Sequence, residues 1–257
     1  MRTPHYDWIG HHALGRPQAP ALTDITRNRS YTYSALDRRI ACAAAMLAAG
    51  GISRGMRVAV LAQNCSDLYE LMFACGRVGA LFIPLNWRLT VAELSYIFAN
   101  AEPALLLHDA DNAEAAAQLV AGKDVALVLM GGGDDTPYER ALAAAEPFRN
   151  PVALYHDDVQ VLMYTSGTTG FPKGAMLTYA MAFWNAINLG VPIGIGAETR
   201  FLSVMPFFHT AGINLFGNPV FHAGGHVLMM RAFDPGATLA ALGDPALGIT
   251  HFFGVPA

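Results

Sequence analysis

The sequence predicts an α/β fold in which a mostly parallel sheet is flanked by helices, and three observations support this. Helix-like and strand-like segments alternate along the chain, as they do in layered α/β domains. The strand-like segments are short apolar runs without polar alternation, which is typical of parallel strands covered on both faces. The composition is 53% hydrophobic and 14% charged, against roughly 25% charged in an average soluble domain. Much of the chain must therefore be buried.

Helices in the first part of the chain are marked by apolar residues at helical spacing and by terminal signals. Ser34 is a capping residue, Gly50 and Gly51 form a stop, and Thr90 with Glu93 forms a capping box. We predict helices at residues 34–50, 66–78, 90–100, 111–120 and 137–145. Short apolar runs predict strands at residues 57–62, 80–85, 104–108, 125–130 and 159–164.

The last third of the chain predicts a second sheet, begun after about residue 190. An extended piece at 175–177 and a helix at 178–189 precede it. Apolar runs predict strands at residues 201–205, 225–230 and 249–253. Two further helices are predicted, one beginning near Gly212 and one after Pro235.

Charge and cysteine content exclude several classes of protein. The net charge of −4 leaves no basic surface of the kind that binds nucleic acid. Cys42, Cys65 and Cys75 are odd in number and lack C-x-x-C spacing, so neither a zinc site nor a disulfide framework is indicated, and a reducing cytoplasm fits best. Residues 1–12 lack a basic stretch followed by an apolar run, so they do not form a signal peptide.

Two long segments without Asp, Glu, Lys or Arg raise the question of a membrane span. Residues 174–197 and 201–230 are each long enough to cross a bilayer, but Asn, Gly, Pro and His interrupt both. We therefore predict buried core or an apolar ligand pocket and no transmembrane segment, while peripheral contact with a membrane stays open. His222 and His226 are separated by Ala-Gly-Gly without a nearby acid, which predicts a turn before a strand and no metal site.

The segment after the predicted strand 159–164 carries the strongest chemical signal. It reads Leu-Met-Tyr-Thr-Ser-Gly-Thr-Thr-Gly-Phe-Pro-Lys-Gly from residue 162 to residue 174. Its glycines let backbone N–H groups approach an anion, its hydroxyls donate hydrogen bonds and its lysine adds a positive charge. The spacing is not that of the P-loop, because Pro172 precedes the lysine and Gly174 follows it. Polyphosphate binding is indicated, and the alternative is a hydroxyl-rich surface hairpin.

This segment closely resembles the phosphate-loop signature of the adenylate-forming enzymes, the superfamily of acyl-CoA synthetases, peptide adenylation domains and beetle luciferases. Upstream, residues 29–36, 57–60, 76–80 and 84–86 look like fatty-acyl-CoA synthetases. Downstream, Met205-Pro206-Phe207-Phe208-His209-Thr210-Ala211-Gly212 resembles their aromatic-histidine motif. Gly254-Val255-Pro256 resembles their acyl-pocket segment. The resemblance therefore covers essentially the whole chain.

The resemblance implies the N-terminal part of an ATP-dependent ligase for a long- or medium-chain fatty acid. A carboxylate attacks the α-phosphate of ATP, releasing pyrophosphate, and coenzyme A then displaces AMP to give a thioester. Lys173, Thr165 and His209 are the implied catalytic residues. The residues implied to bind the β- and γ-phosphates are Thr165, Ser166, Gly167, Thr168, Thr169, Gly170 and Lys173. The residues implied to contact the acid are Phe208, His209, Thr210, Gly212, Val255 and Pro256.

The class of acid is narrowed by a missing charge. Members of the superfamily that activate amino acids hold the amino group with an acidic side chain, commonly where this chain has Phe207, Phe208 and His209. Residues 201–230 contain neither Asp nor Glu, and an unpaired ammonium group would be costly to bury there. The sequence therefore favours a fatty acid or another apolar acid, such as an aryl acid, over an amino acid.

The resemblance also implies that residues 1–257 form an incomplete large N-terminal AMP-binding domain. Residues 1–190 would be its first α/β subdomain with the phosphate loop, and residues 191–257 the start of the second. The C-terminal domain would be absent, together with the segments that bind adenine, Mg²⁺, ribose and much of coenzyme A. We expect such a chain to be inactive alone and to self-associate, for example as a homodimer, through its apolar edge. The alternative is a truncated, non-catalytic nucleotide- or acyl-binding relative.

Overall fold

The structure is a computed structural model that describes residues 2–131, 133, 135–165 and 171–255. Its helices are α1 (Trp8–Gly15), α2 (Tyr33–Ala49), α3 (Ser66–Val78), α4 (Val91–Ala101), α5 (Ala113–Val120), α6 (Pro137–Ala144), α7 (Tyr179–Gly190), α8 (Gly217–Ala223) and α9 (Pro235–Gly243). Its strands are β1 (Pro20–Asp24), β2 (Arg29–Thr32), β3 (Arg57–Leu61), β4 (Leu81–Pro84), β5 (Leu105–His108), β6 (Ala126–Leu129), β7 (Val159–Thr165), β8 (Lys173–Thr178), β9 (Arg200–Ser203), β10 (His226–Met229) and β11 (His251–Phe252). A 3₁₀ turn at Ala110–Asn112 precedes α5, and a π-helical turn at Ala211–Leu215 precedes α8.

The chain forms two compact units that interleave along the sequence. The first comprises residues 1–5, 38–63 and 67–179, and the second comprises residues 6–37, 64–66 and 180–257. Within the described residues, the first unit contains a six-stranded sheet in the order β6-β5-β3-β4-β7-β8. All its neighbouring strands are parallel except β7 and β8. The predicted α/β architecture with mostly parallel sheets and flanking helices is confirmed.

The first unit has an apolar core between its sheet and two helices. Residues of β3, β4 and β5 pack against α4 and α5, and the buried members of this cluster are Ala59, Leu61, Ile83, Leu85, Leu94, Ile97, Phe98, Ala101, Leu106, Ala116 and Leu119. The capping box predicted for α4 is present, because Thr90 Oγ1 accepts from the Glu93 N–H while Glu93 Oε2 accepts from the Thr90 N–H at 2.8 Å. Local sequence signals therefore place this helix correctly.

The second unit contains a five-stranded sheet in the order β11-β9-β10-β1-β2, as far as the described residues show. Its strands are parallel except for the β1–β2 pair. The sheet does not consist of the last third of the chain alone, since β1 aligns Leu22 with Val227 of β10. No element was predicted before residue 34, and the two units are not divided at residue 190. A pairing between distant parts of the chain leaves no local signal.

Within the part of the chain that the structure describes, no helix combines the length and the apolar character needed to cross a membrane. The apolar segment 201–230 instead supplies β9 and β10, whose buried Leu202 and Leu228 belong to the core of the second unit. That core also contains Val204, Met230 and Ala241.

Helices α2, α3 and α6 contribute residues of the first unit to a largely buried ionic cluster. The Arg39 guanidinium donates two hydrogen bonds to Glu70, at 2.6 and 3.0 Å, and two to Glu139, at 3.1 and 2.9 Å. Tyr138 donates its hydroxyl to Glu70 at 3.1 Å. The pKa of Glu70 is raised to about 7, chiefly by burial and in smaller part by Asp67 and Glu139, against the lowering effect of Arg39. One guanidinium thus serves two buried carboxylates.

Replacing Glu70 by Gln should flatten the dependence of stability on pH. The folded-state pKa of about 7 lies above the ordinary value of 4.5. The carboxyl therefore favours the folded state most below that ordinary value, and this contribution is lost as the pH rises toward 7. Between pH 4.5 and pH 7 the wild type should lose on the order of 2–3 kcal/mol that Glu70→Gln does not lose. Urea denaturation across this pH range measures the free energy of unfolding, with exposed Glu146→Gln as the control. If the free energy of unfolding changes equally with pH in the wild type and in Glu70→Gln, the prediction is wrong.

Candidate active site

Two of the phosphate-loop candidates, Thr165 and Lys173, are the end residues of two paired antiparallel strands in the first unit. Strands β7 and β8 pair from Val159 with Thr178 to Thr165 with Lys173. Both Thr165 and Lys173 are exposed. Residues opposite each other on paired antiparallel strands have Cα atoms about 4.5–5.5 Å apart, so the structure brings these two predicted residues together. Ser166, Gly167, Thr168, Thr169 and Gly170 lie outside the described residues.

Packing on the hairpin explains why a glycine follows Lys173. A Cβ at Gly174 would lie 2.9 Å from Leu162 Cδ1 and 3.2 Å from Tyr164 Cζ. The Tyr164 hydroxyl donates to Asn100 Oδ1 at 2.6 Å, which holds the tyrosine ring over β8. The absence of a side chain at residue 174 therefore lets β8 pass close beneath β7 side chains immediately after the lysine.

The aromatic-histidine motif follows β9 in the second unit. Phe207 is buried, Phe208 is half-buried, and His209 and Thr210 are exposed. The His209 N–H donates to the Pro206 carbonyl at 3.1 Å, and His209 Nδ1 accepts from the Ala211 N–H at 3.2 Å. A neutral His209 therefore carries its proton on Nε2. The loop presents the imidazole to solvent in a defined orientation.

A glycine is required at residue 212 because the backbone of residues 205 and 206 passes very close to it. Its N–H donates to the His209 carbonyl at 2.9 Å. A Cβ at this position would overlap the Pro206 carbonyl and come within 2.9 Å of the Met205 carbonyl oxygen. The predicted helix near residue 212 starts here as the π-helical turn Ala211–Leu215 and continues as α8. The structure thus brings Phe208, His209, Thr210 and Gly212 into one turn.

The predicted acyl-pocket segment lies in the same unit but in a separate piece of chain. Val255 follows β11 in irregular structure and is 63% exposed. Pro256 lies outside the described residues, so its predicted contact with the acid stays a prediction.

The predicted turn before a strand lies at Gly224 and Gly225, between His222 of α8 and His226, the first residue of β10. Helix α8 ends at Ala223, Gly224 has a φ of 80°, and β10 begins at His226. His226 Nε2 lies 2.9 Å from Thr23 Oγ1, and burial lowers the pKa of this imidazole to about 4. Among the residues the structure describes, no three His, Cys, Asp or Glu side chains group as metal ligands would.

Sequence reasoning missed Asn64, a buried side chain that contacts the aromatic-histidine segment. Its Oδ1 accepts from the Phe207 N–H at 3.0 Å, and its Nδ2 donates to the Met205 carbonyl at 2.9 Å. Asn64 is 3% exposed. The local signal was weak, because Asn64 stands beside polar Gln63 in the short connection between β3 and α3. Only its burial shows that its amide needs hydrogen-bond partners.

Replacing Gly212 by Ala should destabilise the turn that carries His209. The added Cβ meets backbone atoms of Met205 and Pro206, which cannot rotate away. We expect a loss of roughly 1–3 kcal/mol in the free energy of unfolding, measured by urea denaturation. The control is Gly243→Ala at the end of α9, where a Cβ meets nothing within 4 Å. Equal stability of the two variants would show that the backbone at Pro206 yields easily.

Several known proteins are similar to this chain in sequence. The family model of AMP-binding enzymes matches residues 9–257. The chain is 42% identical over 249 residues to a feruloyl-CoA synthase of an Amycolatopsis species, covering 97% of this chain and 48% of that protein. It is 32% identical over 252 residues to an indoleacetate–CoA ligase of Aromatoleum aromaticum, covering 95% of this chain and 48% of that protein.

A solved structure is similar to this chain in fold. The crystal structure of ATP-bound MatB from Rhodopseudomonas palustris has a TM-score of 0.83 and 26% sequence identity, covering 92% of this chain and 47% of that one. The chain spans about half the length of the curated relatives it matches. Because the family model covers nearly all of its residues, the chain belongs to the AMP-binding enzyme family.

Proposed function

We propose that the chain is the N-terminal part of an ATP-dependent ligase that joins an apolar carboxylic acid to coenzyme A. The observation that carries this is the pairing of β7 with β8, which sets Thr165 opposite Lys173 at the two ends of a Ser-, Thr- and Gly-rich sequence segment. A hydroxyl-rich surface hairpin would share this geometry, but membership of the AMP-binding family favours phosphate binding.

The exposed ammonium of Lys173 and hydroxyl of Thr165 are suited to an anionic polyphosphate. In the first step a carboxylate oxygen of the acid attacks the α-phosphorus of ATP, and the bond from that phosphorus to the bridging oxygen breaks. Negative charge then grows on the departing pyrophosphate. Lys173 and Thr165, with the loop between them, would bind and stabilise that charge by position and electrostatics.

The second unit would hold the acid. Phe208 is half-buried beside exposed His209, so the turn offers an apolar surface next to a hydrogen-bond donor. In the proposed role, His209 Nε2 donates to the substrate carboxylate and orients it. Gly212 has no side chain, which leaves room for the Pro206 carbonyl within the turn. Mg²⁺ would neutralise phosphate charge and coenzyme A would supply the thiol, and their ligands are expected mainly outside residues 1–257.

An aryl acid is the substrate class that we propose first. Two relatives named above are a feruloyl-CoA synthase and an indoleacetate–CoA ligase, and both names denote aromatic acids. A fatty acid is the second candidate, because residues 201–230 carry no Asp or Glu and supply apolar core strands. Each buried methylene of such a chain would contribute about 0.8 kcal/mol.

Acid-dependent exchange of pyrophosphate into ATP tests the function and the acid class together. The intact gene product should be assayed with ferulate, cinnamate, indoleacetate, decanoate, palmitate and phenylalanine. We expect exchange with the aromatic acids to exceed exchange with the fatty acids, and phenylalanine to give none because its ammonium finds no acidic partner. Exchange with none of the acids would contradict the ligase function and favour a non-catalytic binder.

Replacing Lys173 by Ala should slow adenylate formation far more than it weakens acid binding. The charge of Lys173 acts on pyrophosphate as it departs, so kcat for exchange should fall by on the order of 10²–10³ while the acid Kd changes little. Rapid-quench kinetics and equilibrium binding of the acid measure the two effects. The control is Lys123→Ala, the other lysine of the sequence, whose Nζ donates to the Leu119 carbonyl at 2.7 Å. Equal losses in both measurements would make Lys173 structural.

A further inference from the structure

Asn64 is a buried polar side chain that the proposed chemistry does not use. It lies between β3 and α3 and is 3% exposed. Its carboxamide makes both of its strong hydrogen bonds to one short segment, accepting from the Phe207 N–H at 3.0 Å and donating to the Met205 carbonyl at 2.9 Å. The same Nδ2 lies 3.4 Å from the Met230 carbonyl. Asn64 therefore links the chain after β9 to the chain after β10.

The bonding pattern is that of a neighbouring strand. Met205 and Phe207 are two residues apart, and a residue of a parallel partner strand would donate to the carbonyl of the first and accept from the N–H of the second. Asparagine carries a donor and an acceptor in one planar group, so its side chain can take the place of such a strand. Sheet pairing of β9 ends at Ser203, and the Asn64 carboxamide extends the support to Phe207.

Asn64 is itself held by a second buried contact. Two residues further along, the Ser66 N–H donates to Asp24 Oδ2 at 3.1 Å. Asp24 ends β1 and is 1% exposed, and its Oδ1 accepts from the Arg27 N–H at 3.0 Å. The segment 64–66 is thus fixed to the carboxyl end of the second sheet, which explains why it groups with the second unit.

Pro206 stands between the two residues that Asn64 anchors, and it carries the next part of the turn. Its carbonyl accepts from the His209 N–H at 3.1 Å and lies directly against Gly212. A shift of Met205 or Phe207 would therefore move the backbone on which His209 is built. We propose that Asn64 is a positioning residue that orients Phe208 and His209 toward the substrate carboxylate, an inference that rests on the function proposed above.

Replacing Asn64 by Ala tests this role in the intact gene product. Misplacement of the acid-binding turn should lower kcat/KM for the acid by on the order of 10- to 100-fold, mainly through KM. The KM for ATP should stay within about twofold, because Thr165 and Lys173 belong to the first unit. A merely structural role would reduce the active fraction and leave both KM values unchanged. Asn150→Ala, at an exposed position, is the matched control.

Hydrogen exchange gives a measurement that does not depend on activity. Amides of residues 205–212 should exchange faster in Asn64→Ala than in the wild type, while those of the β7–β8 hairpin should not change. If Asn64→Ala does not fold, Asn64→Ser supplies a shorter donor and acceptor, for which an intermediate effect is expected. Unchanged acid KM and unchanged exchange at 205–212 would overturn the positioning role. Faster exchange at 205–212 in Asn64→Ala, found together with a wild type that shows no acid-dependent activity, would overturn the ligase function and support the anchor.

Discussion

The parallel pairing of β4 with β7 is the interaction on which the candidate phosphate site depends. Phe82 and Val161 are register partners in this pair, and both are fully buried. A strand inside a sheet has to satisfy its N–H and C=O groups through its neighbours, so this pairing sets where β7 lies. Antiparallel pairing with β8 then brings Lys173 opposite Thr165. The exposed ends of the hairpin are thus positioned by apolar residues inside the sheet.

In the second unit, close backbone contacts and buried polar groups determine the conformation of the turn at residues 205–212. Gly212 leaves room for the Pro206 carbonyl, and Asn64 binds the peptide groups on either side of that proline. Hydrogen bonds of this kind contribute modestly to net stability, but a buried group left without its partner costs about 1–3 kcal/mol. A turn bounded by such groups has few alternative conformations of similar energy. The exposed His209 therefore projects from a turn whose backbone is held by buried contacts.

The two units differ in how well local sequence signals predicted them. Helix α3 occupies the residues predicted for it, 66–78, because the spacing of its apolar residues and the signals at its ends lie within the segment itself. Elements α1, β1 and β2 were not predicted, since the short apolar run around Leu22 becomes a strand only by pairing with Val227 near the other end of the chain. Pairing between strands so far apart along the chain leaves no pattern in a short stretch of sequence.

The sequence by itself determined the α/β class, most helices and strands after residue 33, and the residue types of the phosphate loop and of the aromatic-histidine motif. These depend on periodicity, capping and glycine placement, which act over a few residues. Only the tertiary structure decided that Thr165 faces Lys173, that Gly212 must lack a side chain, and that Asn64 holds Met205 and Phe207. Each of these rests on atoms brought together by folding, and contacts between residues distant in sequence are fixed by packing rather than by local preference.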